Sequence, residues 1–170
     1  EIVGNTFAHC TQYAIRYSTP NNNGARARIW NNFIRGEFTN ASAQAINLGY
    51  VRDADIWSNT IVIQNNLNSN GAGIYLYHSG YANDLRNNNV VLSGANSDGL
   101  ALYSEGGCVS YTDYNNWYKA KSGPGINLMR VNGTLLFANN FKGAGGFDAN
   151  SYSEDPRLPS VDDPHPGVIC

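Results

Sequence analysis

The chain is poor in charge. Only 14 % of its 170 residues are Asp, Glu, Lys or Arg, and the net charge is −2, so it has no basic patch to hold a nucleic acid. No apolar run reaches the length of a membrane span, which speaks against membrane insertion. No signal peptide is present, although a mature secreted chain would have lost one. Cysteine is scarce. Cys10, Cys108 and Cys170 are odd in number and cannot all pair within one molecule. No CxxC or CxxxH spacing suggests zinc. Four of the six prolines (Pro156, Pro159, Pro164 and Pro166) lie near the end, where an interior strand is excluded.

What the chain does have is Asn and Gly in a repeat. Ile2-Val3-Gly4-Asn5-Thr6-Phe7 returns as Ile29-Trp30-Asn31-Asn32-Phe33-Ile34, Ile56-Trp57-Ser58-Asn59-Thr60-Ile61 and Leu85-Arg86-Asn87-Asn88-Asn89-Val90. Two weaker copies carry Asn116 and Asn140. The anchors Asn5, Asn32, Asn59, Asn88, Asn116 and Asn140 are 27, 27, 29, 28 and 24 residues apart. A period in this range signals a solenoid, and β-branched, Asn/Gly-rich units signal a β-solenoid. Between anchors runs an alternating strand, at Ile15-Arg16-Tyr17, Ile46-Asn47-Leu48, Ile74-Tyr75-Leu76, Leu100-Ala101-Leu102 and Ile126-Asn127-Leu128. Period-two alternation marks one buried face, with Ile15, Ile46, Ile74, Leu100 and Ile126 as an inward column. Asp113 falls in a column otherwise holding Ile2, Ile29, Ile56, Leu85 and Phe137, so the coil shifts there or the acid is buried and hydrogen-bonded.

Asn tolerates the left-handed backbone of a sharp corner, and stacked Asn side chains can hydrogen-bond from rung to rung. The expected fold is an all-β, right-handed parallel β-helix (β-solenoid) of about five to six coils with an Asn corner ladder. It occupies residues 1–142, and residues 143–170 form a Gly/Pro-rich tail that caps the last coil and covers the open sheet edge. Strand, Asn corner, strand and variable loop at this repeat length resemble the right-handed parallel β-helix superfamily, the pectate-lyase-like fold. The closing pattern Tyr114-Asn115-Asn116-Trp117-Tyr118, Phe147-Asp148-Ala149-Asn150-Ser151 and Asp155-Pro156 is similar to the end of many secreted bacterial β-helix proteins. That superfamily holds lyases, hydrolases, epimerases, tailspikes and non-enzymatic adhesins, so the resemblance implies a fold more than an activity.

Registering the repeats yields two outward surfaces. On the strand before the Asn, Arg28, Asp55 and Asp84 share one column and Trp30, Trp57 and Arg86 another. Neighbouring carboxylates at Asp55 and Asp84 could bind calcium, and Trp30, Trp57 and Arg86 could bind a sugar. The same residues also suit a plain salt-bridge ladder. On the alternating strand the columns read Arg16, Asn47, Tyr75, Ala101, Asn127 and Ser18, Gly49, Tyr77, Tyr103, Met129, with Tyr50, His78, Glu105 and Arg130 near the end. The resemblance implies calcium-binding acids on this sheet, but its columns hold no Asp or Glu. The paired aspartates and Gly-His-Gly segment of polygalacturonases are also absent. Asp163-Pro164-His165-Pro166 is similar to the Asp-Pro-His segment of alginate epimerases, but it sits outside the repeat.

Two functions are expected from different classes. The first is a secreted or surface β-helix that binds a polysaccharide, and processes it as a lyase or epimerase if it is an enzyme. His78 or Arg130 would then be the proton acceptor and Tyr77 or Tyr103 the donor, with Trp30, Trp57, Arg86 and Tyr75 holding substrate. The second is a non-catalytic structural or adhesive unit, a piece of a longer protein or a stack that self-associates end to end. Its motive is that Glu1 begins almost inside a coil.

Overall fold

The structure of the protein is a computed structural model.

 The described residues are 1–19, 26–78, 82–121, 123 and 125–157. Cys170 and the Asp163-Pro164-His165-Pro166 segment lie outside them, as does the rest of the tail beyond residue 157.

Each turn of the chain contributes one strand to each of three sheets, and the molecule is an all-β parallel solenoid of about four turns. The first sheet stacks β1 (Ile2–Val3), β4 (Arg28–Trp30), β7 (Asp55–Trp57), β10 (Asn83–Arg86) and β13 (Val109–Asp113). The second stacks β2 (Thr6–Ala8), β5 (Phe33–Gly36), β8 (Thr60–Ile63), β11 (Asn89–Leu92) and β14 (Asn116–Lys119). The third stacks β3 (Ile15–Ser18), β6 (Gln44–Gly49), β9 (Ala72–Tyr77), β12 (Leu100–Ser104) and β15 (Asn127–Val131), and β16 (Thr134–Phe137) closes it antiparallel to β15. The core is the interior of the stack, where Ile29, Ile56 and Leu85 meet Ile34, Ile61, Val90 and Trp117 and the third-sheet column of Ile46, Ile74, Leu102 and Met129.

The corner between the first two sheets is held by a ladder of amides, buried from Asn32 onward. Asn32 Oδ1 accepts from the backbone N–H of Asn5 at 3.1 Å and from its Nδ2 at 3.2 Å. Asn59 does the same for Asn32 (3.1 and 3.0 Å), and Asn88 for Asn59 (3.1 and 3.1 Å). The next member is Asn115, which accepts from Asn88 at 2.8 and 3.0 Å. Asn116 is therefore not in the ladder, contrary to the sequence expectation. Thr112, rather than Asp113, stands opposite Leu85, so the last coil is displaced by one residue. Both alternatives for Asp113 hold, since it is also buried and accepts from the backbone of Tyr114 and of Asn150. The left-handed backbone belongs to the residue before each ladder Asn: Gly4, Asn31, Ser58, Asn87 and Tyr114. The Asn is selected for its side-chain bonds, not for its φ.

Two further registers differ from the repeat reading. Leu102 and Met129, not Leu100 and Ile126, continue the column of Ile15, Ile46 and Ile74. The shift is two residues at Leu100, which moves Tyr103 beside Tyr75, and three at Ile126, which turns Met129 inward. Ala101 is buried under this register and offers no outward side chain. Asn140 and Phe137 leave the repeat altogether. Phe137 ends the antiparallel β16, and the Asn140 side chain accepts from its backbone N–H at 2.9 Å.

Beyond the hairpin the chain returns to the corner. Ser151 Oγ accepts from the Asn115 backbone at 2.9 Å, and Tyr152 pairs in parallel with Asn116. Asp148 is buried beneath them. Its Oδ1 accepts from Trp117 Nε1 (2.9 Å), Thr112 Oγ1 (3.1 Å) and Ser151 Oγ (2.6 Å). Burial pushes its carboxyl above the ordinary range, against those hydrogen bonds.

Candidate functional site

The outer face of the third sheet carries the densest group of functional side chains. Register alone aligns Arg16, Asn47, Tyr75, Tyr103 and Arg130 in one outward column, one per rung. The Tyr75 and Tyr103 rings stack with centroids 4.4 Å apart and planes 10° apart. The Arg130 guanidinium covers the next face, 5.2 Å from the Tyr103 centroid, and Nη1 donates to the Tyr103 hydroxyl at 3.4 Å. Desolvation in this stack, with the neighbouring Tyr103 and Glu105 adding to it, pushes the Tyr75 phenol up to about 12. Rings stacked along the solenoid axis spend their faces on one another. A ligand lying on the sheet meets their edges and hydroxyls, not an open aromatic plane.

The second column reads Ser18, Gly49 and Tyr77. Gly49 matters here because a Cβ at that position would lie 2.4 Å from Tyr77 Cζ. The missing side chain lets Tyr77 lean one rung across the sheet. Tyr50 and His78 then close the corner, both in left-handed backbone at φ 57° and 47°. The same conformation recurs at other corners of the stack, as at Asn31, Ser58, Asn87 and Tyr114. Their rings stack at 5.1 Å, 26° apart. Glu105, one rung on, accepts from the His78 backbone N–H at 2.9 Å and lies 3.3 Å from His78 Nδ1, both through Oε2. Glu105 thereby fixes the ring of His78 and can support it as a proton acceptor.

Of the residues singled out by sequence, Tyr77 and His78 thus meet in one corner, and Tyr103 and Arg130 meet with Tyr75 beside it. Tyr50, Gly49 and Glu105 complete the group. Sequence placed them at the strand end but gave no sign that Tyr77 would fold over Gly49.

The first sheet holds the other candidate residues. Asp55 pairs in register with Arg28 on one side and Asp84 on the other, and Trp57 with Trp30 and Arg86. Asp55 is buried and bonded to Arg26 Nη2 at 2.7 Å, with Arg28 Nε at 3.7 Å. Asp84 holds Arg86 in a two-point contact, at 2.7 Å to Nε and 2.6 Å to Nη2. Arg86 also covers the Tyr111 ring, 4.3 Å from its centroid. Each acid therefore has its own arginine, and a calcium ion between Asp55 and Asp84 would compete with both. No group of three or more His, Cys, Asp or Glu able to hold a metal occurs among the described residues. A cavity of about 200 Å³ lies between Glu1, Arg28, Trp30, Asp55 and Trp57. Trp30 Nε1 donates to Glu1 across it, whereas Trp57 Nε1 is buried with no acceptor among the described residues.

Sequence reasoning missed one buried amine. Lys119 occupies the inward column of Gly36, Ile63 and Leu92 and donates to the carbonyls of Gly99 (2.7 Å) and Asn127 (3.1 Å). Desolvation lowers it to about 8. Its place follows from the displaced register of the last coil, which the repeat alone does not reveal. The chain matches no protein-family model, no curated protein and no solved structure.

Proposed function

We propose that this is a secreted or surface-located β-helix that binds a polysaccharide along the outer face of its third sheet. The observation that carries the reading is the continuous strip of Tyr50, Tyr75, Tyr77, His78 and Tyr103, ended by Arg130. Sugars are recognised by aromatic carbon surface beside hydrogen-bonding groups, and phenol edges with hydroxyl tips offer both. The strip runs along the stack, so successive sugars of one chain could meet successive rungs. Right-handed winding of the pectate-lyase-like kind belongs to this proposal, because connections between parallel strands of one sheet take that hand almost always. So does a count of five to six coils, reached when the partial turns at the ends are included.

Processing of the lyase or epimerase type would centre on the corner. His78, oriented by Glu105, would accept a proton, with Tyr77 beside it as donor. The test is calorimetric titration with neutral and acidic oligosaccharides. Tyr77→Ala and Tyr103→Ala should weaken binding at least about tenfold, the scale of losing one aromatic contact. Trp57→Ala should not. The reverse order would move the site to the first sheet. No binding to any glycan would leave a structural or adhesive unit, expected to associate end to end in sedimentation.

A further inference from the structure

Lys119 is a buried amine for which glycan binding on the third sheet has no use. It ends β14 in the column of Gly36, Ile63 and Leu92 and is only 8 % exposed. Nζ is held by two backbone carbonyls, Gly99 O at 2.7 Å and Asn127 O at 3.1 Å. Lys119 also lines a cavity of about 280 Å³, with Ser69, Asp98, Lys121, Ile126 and Asn127. Asp98 and Lys121 form an ion pair there at 2.5 Å. An ammonium carries three N–H groups, whereas a neutral amine carries two and a lone pair. Two carbonyls match the neutral form and leave its lone pair unused. Desolvation favours that form, Asp98 opposes it and Lys121 adds to it, which brings the amine to about 8. An amine desolvated beside a second cation is an activated nucleophile.

We propose that this cavity is a covalent binding site for a short hydroxy-aldehyde, with Lys119 as the nucleophile. The site stands apart from the tyrosine strip and does not depend on glycan binding there. An aldehyde is the electrophile that an amine takes without a second reagent. The walls select the rest of the ligand. Ser69, Asp98 and Asn127 offer partners to hydroxyl groups, and the cavity is smaller than those that take drug-sized ligands. The lone pair of Nζ forms a C–N bond at the carbonyl carbon. The carbonyl oxygen takes up a proton, and the nitrogen gives one up. The carbinolamine then loses its hydroxyl as water, with a proton from the Lys121 ammonium that solvent replaces. The nitrogen pair closes the C=N bond. The iminium keeps one N–H for Gly99 O, the shorter of the two contacts, and releases Asn127 O to the cavity.

The test treats the whole protein with glyceraldehyde and cyanoborohydride, which reduces an imine to a stable secondary amine. Peptide mass mapping then reads Lys119, Lys121 and Lys142, the three lysines of the chain, separately. At about pH 7.5 roughly a quarter of Lys119 is neutral, against about a thousandth of a lysine of ordinary pKa. Lys119 should therefore be labelled at least about tenfold faster than the other two. Its rate should also saturate with glyceraldehyde concentration, as a site requires. Propanal has the same carbon count and no hydroxyls. Relative to Lys142, it should label Lys119 roughly tenfold less well than glyceraldehyde, the scale of one lost polar contact. Asp98→Asn should remove most of that preference. Labelling of Lys119 no faster than Lys142, or a rate that rises linearly with concentration, overturns the site. Equal labelling by the two aldehydes, or a preference unchanged in Asp98→Asn, overturns the hydroxy-aldehyde as its ligand.

Discussion

Removing one amide from the middle of the corner ladder should cost more than removing any exposed side chain of similar size. Asn59 is fully buried, and its carboxamide makes four contacts. Oδ1 accepts from the backbone and the side chain of Asn32, and Nδ2 donates to Ile29 O at 2.9 Å and to Asn88 Oδ1 at 3.1 Å. In Asn59→Ala the Asn32 backbone N–H loses its acceptor inside the protein. The Asn32 and Asn88 side chains each keep another partner, so they lose less. One stranded buried N–H costs about 1–3 kcal/mol, and the weakened carbonyl and the void add to it. The total should be about 3–4 kcal/mol. The control is its neighbour. Asn31 holds the left-handed φ of 55° and is exposed, so Asn31→Gly should be neutral or slightly stabilising. Urea denaturation of both variants, with amide exchange at Asn32, reads the difference. If Asn59→Ala costs under about 1 kcal/mol, or Asn31→Gly costs more, the Asn is serving backbone shape and the hydrogen-bond argument is wrong.

Ile74→Ala should cost roughly 2–5 kcal/mol and Tyr75→Ala much less, because the first points inward and the second outward; thermal denaturation in the reverse order would refute the register. Lys119 is depressed from 10.5 to about 8, so the unfolded chain binds more protons between those values and stability should rise with pH across that window; Lys119→Met should flatten the rise in denaturation curves. Gly49→Ala should displace Tyr77 and weaken glycan binding with a smaller effect on stability, read by calorimetry and melting together. Uronate oligosaccharides titrated with and without chelator test the first sheet: because Asp55 and Asp84 are already paired with arginines, chelator should change nothing, and calcium-dependent binding lost in Trp57→Ala would restore a calcium site there.

The repeat made the solenoid and most of its first four corners legible, because each ladder Asn is followed by an inward apolar residue two positions on. The last coil was not legible. There two asparagines stand side by side, and periodicity cannot choose between Asn115 and Asn116. The choice is made by Ser151 and Asp148, which lie 36 and 33 residues away in sequence. The third-sheet slip has a similar cause. Leu100 and Leu102 are both apolar and both buried, so the pattern fits either, and packing decides. The candidate residues could be named from sequence, but their grouping depends on a glycine whose role is visible only through the ring that covers it.

The ladder amides all point one way. Each Asn, from Asn5 to Asn88, donates one side-chain N–H to the Oδ1 of the next ladder member, so along this series the amide dipoles add instead of cancelling. The series ends at Ser151 and the Asp148 carboxyl, whose Oδ1 accepts from Ser151 Oγ at 2.6 Å and from Asn115 Nδ2 at 3.4 Å. The stack therefore has an electrical polarity, with its positive end met by the oxygen of Asp148, much as a helix dipole is met by an acceptor at its terminus. A version of the molecule lengthened by whole coils would deepen that polarity, and one that lost the carboxyl would leave it unopposed.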